Sequence, residues 1–171
     1  MLKRRWILLA EDNINDADLT LRALSASQSP GEVVLASDGA VALDCLYRRG
    51  AFQSRDDGPP AVVLLDLKMP KVDGLEVLRQ IKGDATLKNI PVVIFTSSKE
   101  GADLARTYQL GANAYVVKPL GYREFVATVK DVKKFWLIIN EPPPVDLMAA
   151  ANVPVQQTFA QSPQLQLAPA A

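Results

Sequence analysis

The chain alternates short apolar runs with amphipathic stretches. Arg5 to Ala10, Glu32 to Ala36, Ala61 to Leu65, Val92 to Phe95 and Ala114 to Val117 are apolar runs of four to six residues. Their boundaries are Pro59-Pro60, Pro91, Gly31 and carboxylates. Runs of this length and framing read as strands buried on both faces, as in a parallel sheet. Between them, apolar residues recur three and four apart, the period of a helix. This predicts helices from Ile14 to about Ser25, from Asp38-Gly39 to Arg48-Arg49, from Asp73 to about Gly83, from Lys99 to Leu110 and from Tyr122 to Ile139. Asn13 and Asp73 are placed to cap two of them, and Gly111 to close a third.

Five strand–helix alternations without internal repeats predict an α/β fold: a flavodoxin-like, doubly wound, five-stranded parallel sheet in the order 2-1-3-4-5. In that order the first and third strands flank the reversal of winding. Their carboxyl ends meet at the crevice where ligands of such sheets bind. The Gly50 to Pro60 stretch reads as a tolerated surface connection. The last helix carries a stripe of Phe125, Val129, Val132, Trp136 and Ile139, but Phe135 to Ile139 is apolar all round. That segment is expected to offer a partner surface, with a homodimer as the first reading. Residues 1–141 form one expected domain, and 142–171 a Pro-, Ala- and Gln-rich tail expected to be disordered or arm-like.

Composition narrows the chemistry. Nineteen Lys and Arg balance nineteen Asp and Glu, so no excess positive charge points to nucleic acid or to an anionic membrane. No apolar stretch approaches the length of a membrane span, and the single Cys45 lies in a helical pattern as a small apolar residue, so a cytoplasmic protein is expected. The chain contains no histidine, which removes Ser/His and Cys/His catalysis and the usual zinc sets. Chemistry must rest on carboxylates, hydroxyls and lysine.

Those groups stand at the carboxyl ends of the strands: Glu11 and Asp12, Asp66, Thr96, and Lys118. Three converging carboxylates repel one another, which raises at least one pKa and calls for a cation. An all-oxygen set suits Mg²⁺, while Lys118 and Thr96 suit the oxygens of a phosphoryl group on Asp66. The set reads as a site for an acyl phosphate.

The acidic pair Glu11-Asp12, Asp66 followed by Met69-Pro70 and Asp73-Gly74, Thr96-Ser97, and Lys118-Pro119 resemble, in this order, the receiver domain of bacterial two-component response regulators. The resemblance runs from about Lys3 to Ile139. It implies that Asp66 is the phosphoacceptor, and that Asp12, Asp66 and the Lys68 backbone carbonyl hold Mg²⁺ with Glu11 nearby. It implies phosphoryl binding by Thr96 and Lys118, an aromatic switch at Tyr115, and a cis Lys118–Pro119 bond. The segment from Phe135 to Pro143 is similar to the extension of single-domain regulators that partner bacterial and cyanobacterial phytochromes, some of which exchange arms between protomers.

The implied function is a phosphoacceptor in signalling rather than an enzyme with turnover. A sensor histidine kinase, in the nearest resemblance a bacteriophytochrome, would phosphorylate Asp66 in a Mg²⁺-dependent reaction, and the signal would leave by phosphorylation-dependent protein–protein contact. A phosphorelay intermediate or a phosphate sink are the alternatives. An Asp-based phosphatase of the haloacid dehalogenase type fits less well, because the second carboxylate of its Asp-x-Asp pattern is replaced by Lys68. Lys68 and Ser98 stand at positions that influence how fast water attacks the acyl phosphate, and neither is a carboxylate or amide. A phosphoryl lifetime longer than in fast chemotaxis regulators is expected.

Overall fold

The computed structural model describes residues 5–25 and 31–142. The expected tail lies, from residue 143 on, outside the described residues. In chain order the elements are β1 (Trp6–Ala10), α1 (Ile14–Ser25), β2 (Glu32–Ala36), α2 (Gly39–Leu46), β3 (Val62–Leu65), α3 (Gly74–Gly83), β4 (Val92–Thr96), α4 (Gly101–Gln109), β5 (Ala114–Val117) and α5 (Tyr122–Lys134). The five strands form one parallel sheet in the order β2-β1-β3-β4-β5, as expected from the sequence.

Because side chains alternate along a strand, the sheet divides the core in two. Ile7, Leu9, Val62, Leu64, Val93 and Phe95 pack with Ala23 and Leu24 of α1 and Phe125 and Val129 of α5. Leu8, Ala10, Val63, Leu65, Val92 and Ile94 pack with α2 and α3 on the other face. This is why the three central strands, β1, β3 and β4, read as continuous apolar runs: neither of their faces is wet, whereas the edge strands β2 and β5 are only partly covered.

The loop that follows β3 is clamped from two sides. Asp38 caps α2 by accepting the Val41 N–H at 2.8 Å, and its other oxygen accepts from Lys71 Nζ at 2.5 Å. The Lys71 contact and the Val41 N–H together hold the buried Asp38 carboxyl below its usual range. Lys71 adopts a left-handed backbone (φ 63°), which costs a non-glycine residue about 1 kcal/mol. Gly39 and Gly74 allow backbone to approach backbone here. A Cβ on Gly39 would lie 1.9 Å from the Val72 carbonyl oxygen, and one on Gly74 only 2.1 Å from that of Asp66.

Three local expectations change. The Gly50 to Pro60 connection lies mostly at the surface, but it is anchored to the core rather than freely tolerant of change. It contains a 3₁₀ turn, Gly50–Phe52, and then covers the buried Trp6, whose Nε1 donates to the Gly58 carbonyl at 3.2 Å. Arg55 stacks on the Trp6 ring at 4.5 Å while pairing with Asp57 and Glu32. A buried indole needs both a cover and an acceptor, and this loop supplies them.

The C-terminal helix changes pitch at Lys134. Phe135–Ile139 forms a π-helical turn, closed by the Asn140 N–H donating to the Phe135 carbonyl five residues back at 2.7 Å. The wider turn shifts the helical phase, so Leu137 faces inward rather than Ile139. Leu137 packs over Gly31, where even a Cβ would meet its side chain at 2.7 Å. Arg5 then donates to the Leu137 and Asn140 carbonyls at 3.0 and 3.1 Å. Half of the segment therefore folds back on its own domain, while Phe135, Ile138 and Ile139 stay exposed.

Finally, the described residues contain no cis peptide, so the Lys118–Pro119 bond is trans, the form that an X–Pro bond intrinsically favours by about 0.5–1 kcal/mol.

Candidate functional site

Parallel strands bring their carboxyl ends to one edge, and at that edge the structure assembles Glu11, Asp12, Asp66, Thr96 and Lys118. Asp66 leaves β3 with its N–H donated to the Ala10 carbonyl at 3.0 Å, which ties it to the end of β1. Its Oδ1 accepts the Leu67 N–H at 2.7 Å, and its Oδ2 accepts from Lys118 Nζ at 3.1 Å. Lys118 leaves β5 with its own N–H on the Thr96 carbonyl at 2.8 Å. Its stem passes beside Phe95, placing the ammonium 5.8 Å from that ring's centre.

The ammonium is shared among three carboxylates. Besides Asp66 it donates to Glu11 Oε2 at 2.5 Å and to Asp16 Oδ2 at 2.8 Å. Burial by itself would lower the Lys118 pKa, but the bonds to Asp16 and Glu11 and the nearby Asp66 charge outweigh it and push the value above the usual lysine range. Glu11 moves the other way. Burial raises it to about 7, with the Asp66 charge adding to the effect and the Lys118 and Asn13 contacts only partly opposing it. The raised carboxyl is thus Glu11, and its rise comes chiefly from burial, with the neighbouring Asp66 charge a lesser contributor.

Asp12 lies exposed at the mouth. One carboxylate oxygen from each of Glu11, Asp12 and Asp66 lies within 4.8 Å of the others, an all-oxygen group of the size a hard divalent cation requires. The Lys68 side chain points to solvent.

Thr96 is fully buried, and its hydroxyl oxygen accepts the Ser98 N–H at 3.3 Å. Ser98 connects three elements. Its hydroxyl donates to Asp103 of α4 at 2.7 Å, and its carbonyl accepts the Tyr115 hydroxyl at 3.0 Å. The Tyr115 ring is half-buried against the α2–α3 side of the core. Thr96, Tyr115 and the start of α4 are thus joined through one serine.

Sequence reasoning brought together Glu11, Asp12, Asp66, Thr96 and Lys118, and it missed Asp16. An acid in the first turn of a helix reads as a complement to the helix dipole. The signal that would have found it is position: α1 begins directly at the end of β1, so its first turn borders the site. Beside Lys118 opens a cleft of about 350 Å³, lined by Asp16, Leu19, Ser97, Pro119, Leu120 and Tyr122. Leu120, which lines this cleft, is 97% exposed, so an apolar side chain stands open to solvent beside Lys118.

A sheet of this order carrying this set of groups at its carboxyl edge defines a receiver. The chain belongs to the response regulator receiver domain family, which matches residues 7–130. Among curated relatives it is 43% identical over 138 residues to the probable methanogenesis regulatory protein FilR2 of Methanothrix harundinacea, covering 80% of this chain and 86% of that protein. It is 36% identical to the response regulator Rcp1 of Synechocystis, covering 77% and 88%. Among solved structures it resembles the phosphorylated cyanobacterial phytochrome response regulator RcpA, with 38% identity, a TM-score of 0.77 and coverage of 82% and 99%. The bacteriophytochrome response regulator AtBRR is 54% identical with a TM-score of 0.65, covering 81% and 99%.

Proposed function

We propose that this protein is a single-domain response regulator that accepts a phosphoryl group from a sensor histidine kinase on Asp66. The observation that carries the reading is the three-way contact of the Lys118 ammonium with Glu11, Asp16 and Asp66 at the mouth of a buried strand end. A cation already held beside Asp66 neutralises the acceptor and suits a phosphoryl oxygen once one arrives. Glu11, Asp12 and Asp66, with the Lys68 carbonyl, would hold Mg²⁺, which supplies charge neutralisation for an incoming phosphoryl group. Rcp1 is known in a Mn²⁺-bound form and RcpA in a phosphorylated one, which supports the same chemistry here.

Within the chain, an Asp66 carboxylate oxygen attacks the phosphorus of the kinase's phosphohistidine, forming the acyl phosphate as the P–N bond breaks and the donor imidazole leaves. Lys118 and the Thr96 hydroxyl take the phosphoryl oxygens. Thr96 is bonded to Ser98, and Ser98 to Tyr115 and Asp103, so a move of Thr96 toward the phosphoryl reaches α4 and the Tyr115 ring through existing contacts. Tyr115 is the switch residue of this reading. With no histidine of its own, the chain takes its phosphoryl from a separate kinase. The kinship with phytochrome regulators makes a bacteriophytochrome kinase the partner of choice. The exposed Phe135, Ile138 and Ile139 favour a homodimer through the C-terminal segment. Among the described residues no helix is long and apolar enough to cross a membrane, in keeping with a cytoplasmic partner for such a kinase.

The expected result with acetyl phosphate and Mg²⁺ is one added phosphate by intact mass, and none in Asp66→Asn. The added mass is expected to outlast a chase of tens of seconds, because the Ser98 hydroxyl is engaged by Asp103 and Lys68 is turned to solvent. Neither group is placed to orient an attacking water. An unmodified wild type would overturn the reading, and many turnovers of a chromogenic phosphate ester would favour a phosphatase instead.

A further inference from the structure

We propose that Asp16 is a positioning residue that sets the charge balance of this site, disfavouring the phosphoryl anion and favouring the divalent cation. The inference rests on the phosphoacceptor reading above and concerns its regulation. The simplest alternative is that Asp16 serves α1 alone, as a first-turn acid at the third helical position. In a capping box that acid reaches back to the backbone N–H of the N-cap residue. Here the Asn13 N–H donates to Glu11 Oε1 at 3.1 Å, and Asn13 itself accepts the Asn15 and Asp16 N–H groups at 3.0 and 3.2 Å. The helix start is satisfied without the Asp16 carboxylate, which turns instead to Lys118 Nζ at 2.8 Å.

An ammonium has three N–H groups, and Lys118 directs them at three carboxylates. For a phosphoryl oxygen on Asp66 to accept one of them, an existing acceptor must yield. Asp66 yields by becoming the phosphorylated group itself. Asp16 lies on the open side, with 36% of its side chain exposed against 1% for Glu11. Its charge stays beside the ammonium after the phosphoryl arrives. One extra negative charge a few ångströms from a partly wet anion opposes it by about three- to tenfold in affinity, and assists a cation by a similar factor.

The test compares the full chain with Asp16→Asn, which keeps the size and an acceptor oxygen but removes the charge, and with Asp16→Ala. Calorimetric titration with Mg²⁺ alone is followed by beryllofluoride at a Mg²⁺ concentration that saturates each protein. Asp16→Asn is expected to bind beryllofluoride about three- to tenfold more tightly and Mg²⁺ about three- to tenfold more weakly. Asp16→Ala is expected to shift both in the same directions. A purely structural prop for Lys118 would not give effects of opposite sign. Unchanged affinities in Asp16→Asn, or weaker beryllofluoride binding, would overturn the inference while leaving the phosphoacceptor reading intact. A wild type that binds no beryllofluoride would overturn both.

Discussion

Gly74→Ala is expected to destabilise the protein by about 3 kcal/mol and to abolish phosphoryl transfer to Asp66. The residue looks innocuous in sequence, a glycine opening α3 behind its Asp73 cap. In space its missing side chain is what lets the helix start against the end of β3, beside Asp66. A Cβ there would lie 2.1 Å from the Asp66 carbonyl oxygen, 2.7 Å from Leu67 Cα and 2.9 Å from the Asp66 carbonyl carbon. These are backbone atoms, so no rotamer change relieves the clash. The Gly74 N–H also donates to the Leu67 carbonyl at 2.9 Å, and this bond stretches if the chain moves apart. The displacement falls on Asp66 and the Lys68 carbonyl, the groups that the proposed phosphoryl transfer uses. Urea unfolding would read the stability, and intact mass after acetyl phosphate would read the activity. Retained stability with full phosphorylation would show that the loop can give way at little cost.

Lys118→Met is expected to cost about 3–5 kcal/mol at pH 8, since it removes the cation from buried carboxylates and leaves them uncompensated. The loss should shrink at low pH, and the sign follows from Glu11. Its pKa in the folded protein is raised from an ordinary 4.5 to about 7. A group raised on folding contributes stability that is fully present below its unfolded value and is lost as pH rises through the folded one. Metal-free wild type should therefore lose stability between about pH 4.5 and 7. The variant, lacking the Lys118 contacts that oppose the rise, should lose it more steeply and to higher pH. Mg²⁺ should restore part of the loss in both proteins at pH 8. Equal destabilisation of the variant at pH 5 and pH 8 would mean that Lys118 acts through packing rather than charge.

The fold was legible because the three central strands are buried on both faces and all five are framed by residues that end them. Ala61 to Leu65, set between Pro59-Pro60 and Asp66, is the clearest case. The site was legible for the same reason: groups that terminate parallel strands share an edge. What escaped depends on contacts remote in sequence. Asp16 meets Lys118 across 102 positions, and its own helix gives no sign of that partner. Trp6 reads as one more strand residue, and only its bond to Gly58, 52 positions on, shows that the surface connection is also a cover. At the C-terminal helix the spacing was read correctly as far as Lys134. A turn closed five residues apart then shifts the phase, and the groups that meet it, Gly31 and Arg5, come from the far end of the chain.

The phosphoryl group is expected on one carboxylate among several. Glu11, Asp12, Asp16 and Asp66 lie at the same mouth, so an added mass alone does not say which one reacts. The direct measurement is borohydride trapping of the acyl phosphate after acetyl phosphate treatment, followed by peptide-resolved mass spectrometry. Reduction at Asp66 in the wild type, and at no acidic residue in Asp66→Asn, is the predicted result. Reduction at Asp12 or Asp16, or at none of these residues despite added phosphate, would contradict it.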